Sequence, residues 1–237
     1  MRAIVEIGEH SVYVPALEKG GEVFDVGANK GRFSQEVAAR FPVKVVSVEA
    51  NPHLAEILRN KGLDVVECAV GGSERSVSFH IGTNDEASSL RLPSLADVHL
   101  VVMQTVSVAM KPLDAILREK GISRLACVKV DIEGSEIDVL KAVGDSAKWI
   151  SPQWTIEFHD DREFGLCTPA EVDEIIAAMT SNGFSVLVRN WPSRTNVLFV
   201  HRSALSIGFG EWIAIKFRYQ YAAILWRIIN RTFGLIH

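Results

Sequence analysis

From residue 22 to about residue 200, short apolar runs alternate with amphipathic helical stretches, and no other feature restricts this chain's fold so tightly. "EVFDV" is an apolar strand, and "RFSQEVAARF" follows it with helical spacing. "VKVVSVEA" is a second strand. Pro52 then opens the helix "HLAEILRNKG", and Gly62 stops it. "DVVECAV" is a third strand. "SVSFHI" and "VVMQTVSVAM" alternate with period two and predict an antiparallel pair around the polar loop "GTNDEASSLRLPSLAD". Beyond them come the helix "LDAILREKG", the buried strand "LACVKVDI", the helix "SEIDVLKAVG" and the strand "QWTIEFH". The helix "PAEVDEIIAAMTSNG" and the strands "FSVLVRN" and "TNVLFVHR" complete the series. Consecutive parallel strands joined by helices imply an α/β, doubly wound, mostly parallel sheet. Composition shifts only near residue 203, so residues 1–202 read as one domain and 203–237 as a tail.

Composition narrows the function classes. The net charge of −4 argues against general affinity for nucleic acid. Cys68, Cys127 and Cys167 form no CxxC pair, and their odd number suits reduced, buried thiols. The start "MRAIVEIGEHSVYVP" lacks the apolar core of a secretory signal, and no apolar run is long enough to span a bilayer. These features together predict a cytoplasmic protein.

The loop after the first strand, "DVGANKG", lies where doubly wound sheets bind ligands, at the carboxyl ends of strands. Gly27 and Gly31 permit positive φ and close backbone approach. The next helix presents free N–H groups to an anion. The pattern is not the dinucleotide Gly-x-Gly-x-x-Gly. A carboxylate at Asp25 repels a pyrophosphate and favours a cationic ligand, for which S-adenosylmethionine is the candidate. Glu49 ends the second strand, where an acid can take both ribose hydroxyls. The candidate donor-binding residues here are Asp25, Gly27, Ala28, Asn29, Gly31, Glu49 and Ala50.

"VFDVGANKGRFS", "VVSVEANP", "SSL", Leu113-Asp114 and above all "VKVDIEGSEIDVLKA" resemble the FkbM-type S-adenosylmethionine-dependent methyltransferases over roughly residues 22 to 160. The resemblance implies a class I methyltransferase fold with a seven-stranded sheet. It also implies methyl transfer, usually to oxygen, on sugars or natural products. Asp25, Gly27, Asn29, Gly31 and Glu49 match the family's donor-binding positions, and Cys68 and Ala69 stand where adenine contacts are expected. "ECAVGG" replaces an Asn-rich segment, and Pro112 stands where a hydroxyl residue is commoner. The N-terminal extension is short, so a cap over the substrate is expected from elsewhere in the chain.

"VKVDIEGSE" places Lys129, Asp131 and Glu133 on one face of a strand end. "IEFHDD" adds Glu157, His159, Asp160 and Asp161 at the next strand end. An alcohol acceptor must lose a proton, so a nearby carboxylate or imidazole is useful. The order of preference as base is Asp131, then His159, then Glu157. Asp131 also joins the donor-binding set, and Glu133 is a candidate substrate contact. Glu136 reads as a charge complementing the helix dipole. Hard cations favour oxygen ligands, but no spacing here demands one and the His/Cys metal signatures are missing, so no metal is expected.

In the polar loop, Ser88, Ser89 and Arg91 can hydrogen-bond hydroxyls, and Trp191 can stack on a sugar or cap the core. In the tail, Trp212, Ile215, Tyr219, Ala222, Trp226, Ile229 and Phe233 form one helical stripe. Lys216, Gln220, Arg227 and Arg231 lie on another face. This suits peripheral contact with the inner face of a membrane, a helix packed on the domain, or a dimer contact. The expected function is O-methylation of a sugar hydroxyl in a glycan, glycolipid or natural product. N-methylation, a polyketide hydroxyl acceptor and a non-enzymatic, donor-binding, membrane-tethered module are the alternatives. The acceptor is expected to be a small molecule or glycan, with no nucleic-acid partner. The oligomeric state is left open.

Overall fold

The computed structural model describes residues 3–82, 102–159, 166–189 and 195–218. Ser88, Ser89, Arg91, Asp160, Asp161, Trp191 and the tail beyond Arg218 lie outside them.

The chain opens with a hairpin, β1 (Ile4–Ile7) and β2 (His10–Tyr13), then a single turn, α1 (Val14–Leu17). The alternating units follow: β3 (Gly21–Val26), α2 (Arg32–Arg40), β4 (Val43–Glu49), α3 (Pro52–Asn60) and β5 (Asp64–Glu67). Three strands make a separate small sheet: β6 (Ala69–Val70), β7 (Arg75–Gly82) and β8 (Val102–Lys111). The series resumes with α4 (Leu113–Lys120), β9 (Leu125–Val130), α5 (Glu136–Val143), α6 (Ala147–Ile150) and β10 (Gln153–Glu157). It ends with α7 (Pro169–Ser181), β11 (Phe184–Val188) and β12 (Asn196–His201), and a helix covers residues 209–218.

The main sheet has seven strands in the order β11-β12-β10-β9-β3-β4-β5. β12 runs antiparallel to both neighbours, and the other described pairings are parallel. Central strands with helices on both faces must be apolar throughout, and all six residues of β9 are buried. Asp25 and Lys129 are two charged exceptions, and they stand opposite each other across β3 and β9. β3 has β4 on one side and β9 on the other, so the topological switch point lies at its carboxyl end.

"DVVECAV" does not form one strand. It breaks at Cys68, whose N–H donates to the Glu49 carbonyl, and Ala69-Val70 turn away to pair with β8. The expected antiparallel pair is β7 and β8. All three cysteines are free and buried. Among the described residues no helix is long and apolar enough to cross a membrane.

The first turns of the tail pack on the domain. Trp212 is buried against Ile4, Tyr13, Leu187, Leu198 and Val200, with Ile215 partly buried beside it. Phe209, Ile213 and Phe217 form a second, exposed apolar row on this helix. The stripe read from the sequence is thus the packed face as far as residue 218.

Candidate active site

The turn after β3 is built on positive φ. Gly27 (φ 79°), Asn29 (φ 49°) and Gly31 (φ 80°) all adopt it, and asparagine tolerates that region better than most residues. The N–H groups of Gly27 and Ala28 both donate to the Val48 carbonyl, which holds the turn against β4. On the other side the Gly27 carbonyl accepts from Lys129 Nζ at 2.6 Å. The bare Gly31 α-carbon faces the side chains of Leu58 and Leu63.

Glu49, at the end of β4, is buried, and two backbone amides fix its carboxylate. Asn29 N–H donates to Oε2 and Asn51 N–H to Oε1, each at 2.8 Å. Burial pushes its pKa up, and the two amides oppose the shift. A carboxylate held this way still has lone pairs for a pair of hydroxyls.

A cleft of about 610 Å³ opens beside this carboxylate. Gly27, Asn29, Glu49, Ala50, Cys68, Ala69, Asp131 and Glu133 line it, so eight sequence-derived site residues converge there. Its apolar walls include Leu54, Val70, Phe79 and Ile132, which the sequence reading missed. Phe79 was findable as the large inward residue of the alternating run "SVSFHI". Burial pushes the Cys68 thiol up to about 12, so it serves as a neutral, apolar wall.

Asp25 does not contribute as expected. It is fully buried beneath the turn, where Oδ2 accepts from Ser34 at 2.7 Å and Oδ1 lies 3.2 Å from Lys129 Nζ. Its charge is thereby directed at Lys129, and it supports the loop instead of facing a ligand. Ala28 lines a second cleft instead of the first, and Gly31 supports the turn from behind.

The second cleft, of about 990 Å³, shares Gly27, Asn29, Asp131 and Glu133 with the first. Glu9, His10, Lys30, Arg32 and Glu157 add polar groups to its walls. At the junction Asp131 Oδ2 lies 3.3 Å from Lys129 Nζ and 3.6 Å from His10 Nε2. Burial raises the Asp131 carboxyl, but Lys129 foremost, with His10 and His159, outweighs it and holds the group well below the usual carboxylate range. Burial likewise pulls Lys129 down, and Asp25 and Asp131 more than reverse it. Both members of this pair therefore stay charged.

His159 is an imidazolium. Nδ1 donates to Glu136 Oε1 at 3.2 Å, and Nε2 lies 3.2 Å from Glu133 Oε2. Burial alone would lower its pKa, but Glu136, Glu133 and Asp131 lift it to about 10. Glu136 does more than face a helix dipole: fully buried, it accepts from the Ile132 and Gly134 amides as well as from His159. Glu133, at φ 55°, is pushed up to about 8, chiefly by burial. Glu157 is pushed up to about 7 by burial, reinforced by Asp131.

Among the described residues, two groups bring ligand atoms close enough for a cation: His10, Asp131 and Glu157, and Asp131, Glu133 and His159. In the second group both imidazole nitrogens already face carboxylates. In both, the Lys129 ammonium already balances Asp131.

His10 was missed by the sequence reading. The only local signal is the two-residue turn Gly8-Glu9 between the short runs "IVEI" and "HSVY", neither of which alternates in polarity, although the two pair as a hairpin. This N-terminal hairpin walls the second cleft, which the short N-terminal extension did not lead the sequence reading to expect.

This fold, with its cleft at the switch point, is that of a class I methyltransferase. The Methyltransferase FkbM domain family matches residues 25–186, and the chain belongs to that family. It is 26% identical over 174 residues to methyltransferase sdnD of Sordaria araneosa, covering 60% of this chain and 67% of the relative. It is 27% identical over 207 residues to 31-O-demethyl-FK506 methyltransferase FkbM of Streptomyces tacrolimicus, covering 74% and 77%. AMB antimetabolite synthetase AmbE of Pseudomonas aeruginosa is 25% identical over 208 residues, covering 70% of this chain but 10% of that protein.

The cofactor is S-adenosylmethionine, and the cleft fits it. Asn29 Oδ1 is buried without a hydrogen-bond partner in the cleft wall, an acceptor suited to the donor's ammonium. Glu49, fixed by its two amides, would take the ribose hydroxyls, and Leu54, Cys68, Val70 and Phe79 would give the adenine an apolar bed. Glu49→Ala is expected to weaken S-adenosylhomocysteine binding by roughly 1–3 kcal/mol, the loss of a charged hydrogen-bond acceptor. Isothermal titration calorimetry checks this, and unchanged affinity would remove Glu49 from the ribose.

Proposed function

We propose that the protein is an O-methyltransferase whose acceptor is a hydroxyl of a sugar, in a glycan, a glycolipid or a natural product. The observation that carries this reading is Glu157. It is a partly exposed carboxylate in the second cleft, with a pKa near 7, beside the junction with the donor cleft. A base poised near the operating pH is what an alcohol acceptor requires. Asp131 is held too acidic by Lys129 to take a proton, and His159 already carries one. The order of bases drawn from the sequence is therefore reversed, with Glu157 first.

S-adenosylmethionine supplies an electrophilic methyl group on a sulfonium. The chain holds the acceptor oxygen in line with it, and near-attack placement of this kind accounts for much of the rate in such displacements. Glu157 receives the hydroxyl proton as the oxygen–carbon bond forms. Polar side chains surround the second cleft on several sides, which suits a polyol better than an apolar ring system. The same carboxylates would keep an amine protonated and non-nucleophilic, which weighs against N-methylation.

The test is mass spectrometry after incubation with methyl-labelled donor and a panel of methyl glycosides, amines and extracted glycolipids. Label on a sugar oxygen is expected. Label on nitrogen only, or on none of the sugars, sinks the reading.

A further inference from the structure

The N-terminal hairpin carries a polar group into the centre of the site from outside the stretch matched to the family, which begins at residue 25. His10 is 4% exposed. Its ring stands edge-on to Phe33, with centroids 5.7 Å apart. The hairpin that holds it is tied down on several sides. Gly8 N–H donates to Glu36 Oε2 at 3.0 Å, and Arg189 reaches the Glu9 carbonyl at 3.1 Å and Glu6 Oε2 at 2.9 Å. Tyr13 and Gln153 exchange two hydrogen bonds, one from the Tyr13 amide to Oε1 and one from Nε2 to the Tyr13 carbonyl. His10 is therefore held by a rigid element and not by a loose terminus.

Its two ring nitrogens meet different surroundings. Nδ1 is buried without a partner. A buried N–H left unpaired is rarer and costlier than a bare acceptor, so the proton belongs on Nε2. Nε2 points between Asp131 Oδ2 at 3.6 Å and Glu157 Oε2 at 3.9 Å. Both distances are too long for a direct hydrogen bond. An oxygen seated in the second cleft, to one side of the line from Nε2 to Glu157, can accept from Nε2–H and donate to Glu157 at ordinary hydrogen-bond distances.

We infer that His10 is the clamp for the acceptor hydroxyl, and that the N-terminal hairpin is an acceptor-recognition element of this protein. The inference rests on the hydroxyl reading above. Nε2–H donates to the acceptor oxygen, and that oxygen's own proton goes to Glu157 as the methyl–oxygen bond forms and the methyl–sulfur bond breaks. The fixed donor occupies one lone pair of the oxygen and turns the other toward the methyl group, so its contribution is to place the acceptor in the near-attack geometry. His10 does not line the donor cleft, so donor binding should not depend on it.

The test uses full-length protein labelled with ¹⁵N-histidine and saturated with S-adenosylhomocysteine. NMR should show the His10 ring protonated on Nε2 and bare at Nδ1, with its signals moving when a methyl glycoside is added. For the glycosides turned over, His10→Ala should lose about 10²-fold in kcat, as for an acceptor no longer held in line. His10→Gln, which keeps an N–H at similar reach, should recover a large part of it. Calorimetry should give unchanged S-adenosylhomocysteine affinity in both variants. An Nδ1–H tautomer, equal losses in both variants, or weakened S-adenosylhomocysteine binding would overturn the clamp. So would activity lost to a chelator and restored by manganese, which would make His10 a metal ligand. Labelled amine product with no labelled glycoside would instead overturn the hydroxyl reading, and would be seen in wild type before any variant is made.

Discussion

Glu157→Gln is expected to lower kcat by roughly 10²–10⁴-fold, the usual contribution of a positioned general base. The amide keeps the shape of the side chain but cannot take a proton. Glu157 does not line the donor cleft, so S-adenosylhomocysteine should bind the variant as it binds wild type. The pH profile provides a second check. The active form is the carboxylate, so wild-type kcat/KM should climb about tenfold per pH unit below about 7 and level off above it. The variant should lose that limb. Asp131→Asn makes the contrast. Removing that charge takes one of two carboxylate partners from the buried Lys129, which keeps Asp25 and the Gly27 carbonyl, so a loss of stability is expected beside the loss of turnover. Its turnover should fall together with its stability, whereas Glu157→Gln should melt normally. If Glu157→Gln turns over normally and Asp131→Asn is inactive but stable, the base is Asp131 after all.

Gly27→Ala should unfold the site outright. The α-carbon sits at φ 79°, where a side chain is strained by about 1–2 kcal/mol. A β-carbon there would also overlap the backbone carbonyl oxygen of Asp131, and would lie 2.8 Å from that carbonyl carbon and 3.0 Å from Ile132 Cγ2. The turn and the end of β9 cannot separate easily. Asp131 N–H donates to Val26, and Lys129 bridges to the Gly27 carbonyl. The expected loss is more than about 4 kcal/mol, in the range reserved for severe core disruption. At 2–4 °C per kcal/mol for a chain of this size, the melting temperature should fall by about 8–16 °C or more. Gly62→Ala is the control. Its φ is 77°, but nothing lies within 4 Å of the added carbon, so it should show the backbone strain alone. If the two variants melt alike, the loop yields and close packing at Gly27 is not what requires glycine.

Much of the donor site was legible in the sequence because it is local. Glycines at 27 and 31 and an acid at the end of the second strand are separated by few residues, and the βαβ unit brings them together whatever else the chain does. Even the partners further along, Cys68, Ala69 and Asp131, follow from strand order, since each ends or follows a neighbouring strand. The acceptor side was not legible in the same way. His10 lies 121 positions before Asp131 and 147 before Glu157, and no periodicity joins a terminal hairpin to two strand ends. It gets there because Tyr13 and Gln153 bond across 140 residues.

What the amino-acid order determined by itself was the alternation of elements, hence the doubly wound sheet, the switch-point loop and the acid at the end of β4. Those depend on apolar period, turn chemistry and nearest-neighbour strands. Which of several carboxylates is charged, shared or free was decided only by tertiary structure. Asp25 is drawn to Lys129 because the register of β3 and β9 sets them opposite each other. Asp131 is kept ionised by the same ammonium, His159 is committed to Glu136 and Glu133, and Glu157, facing His10 at the edge of the second cleft, is left with a proton affinity near neutrality. A sequence names the ionisable groups. Their proton affinities depend on burial and on distances of 3 to 4 Å between side chains from different strands, and those exist only after the sheet has closed.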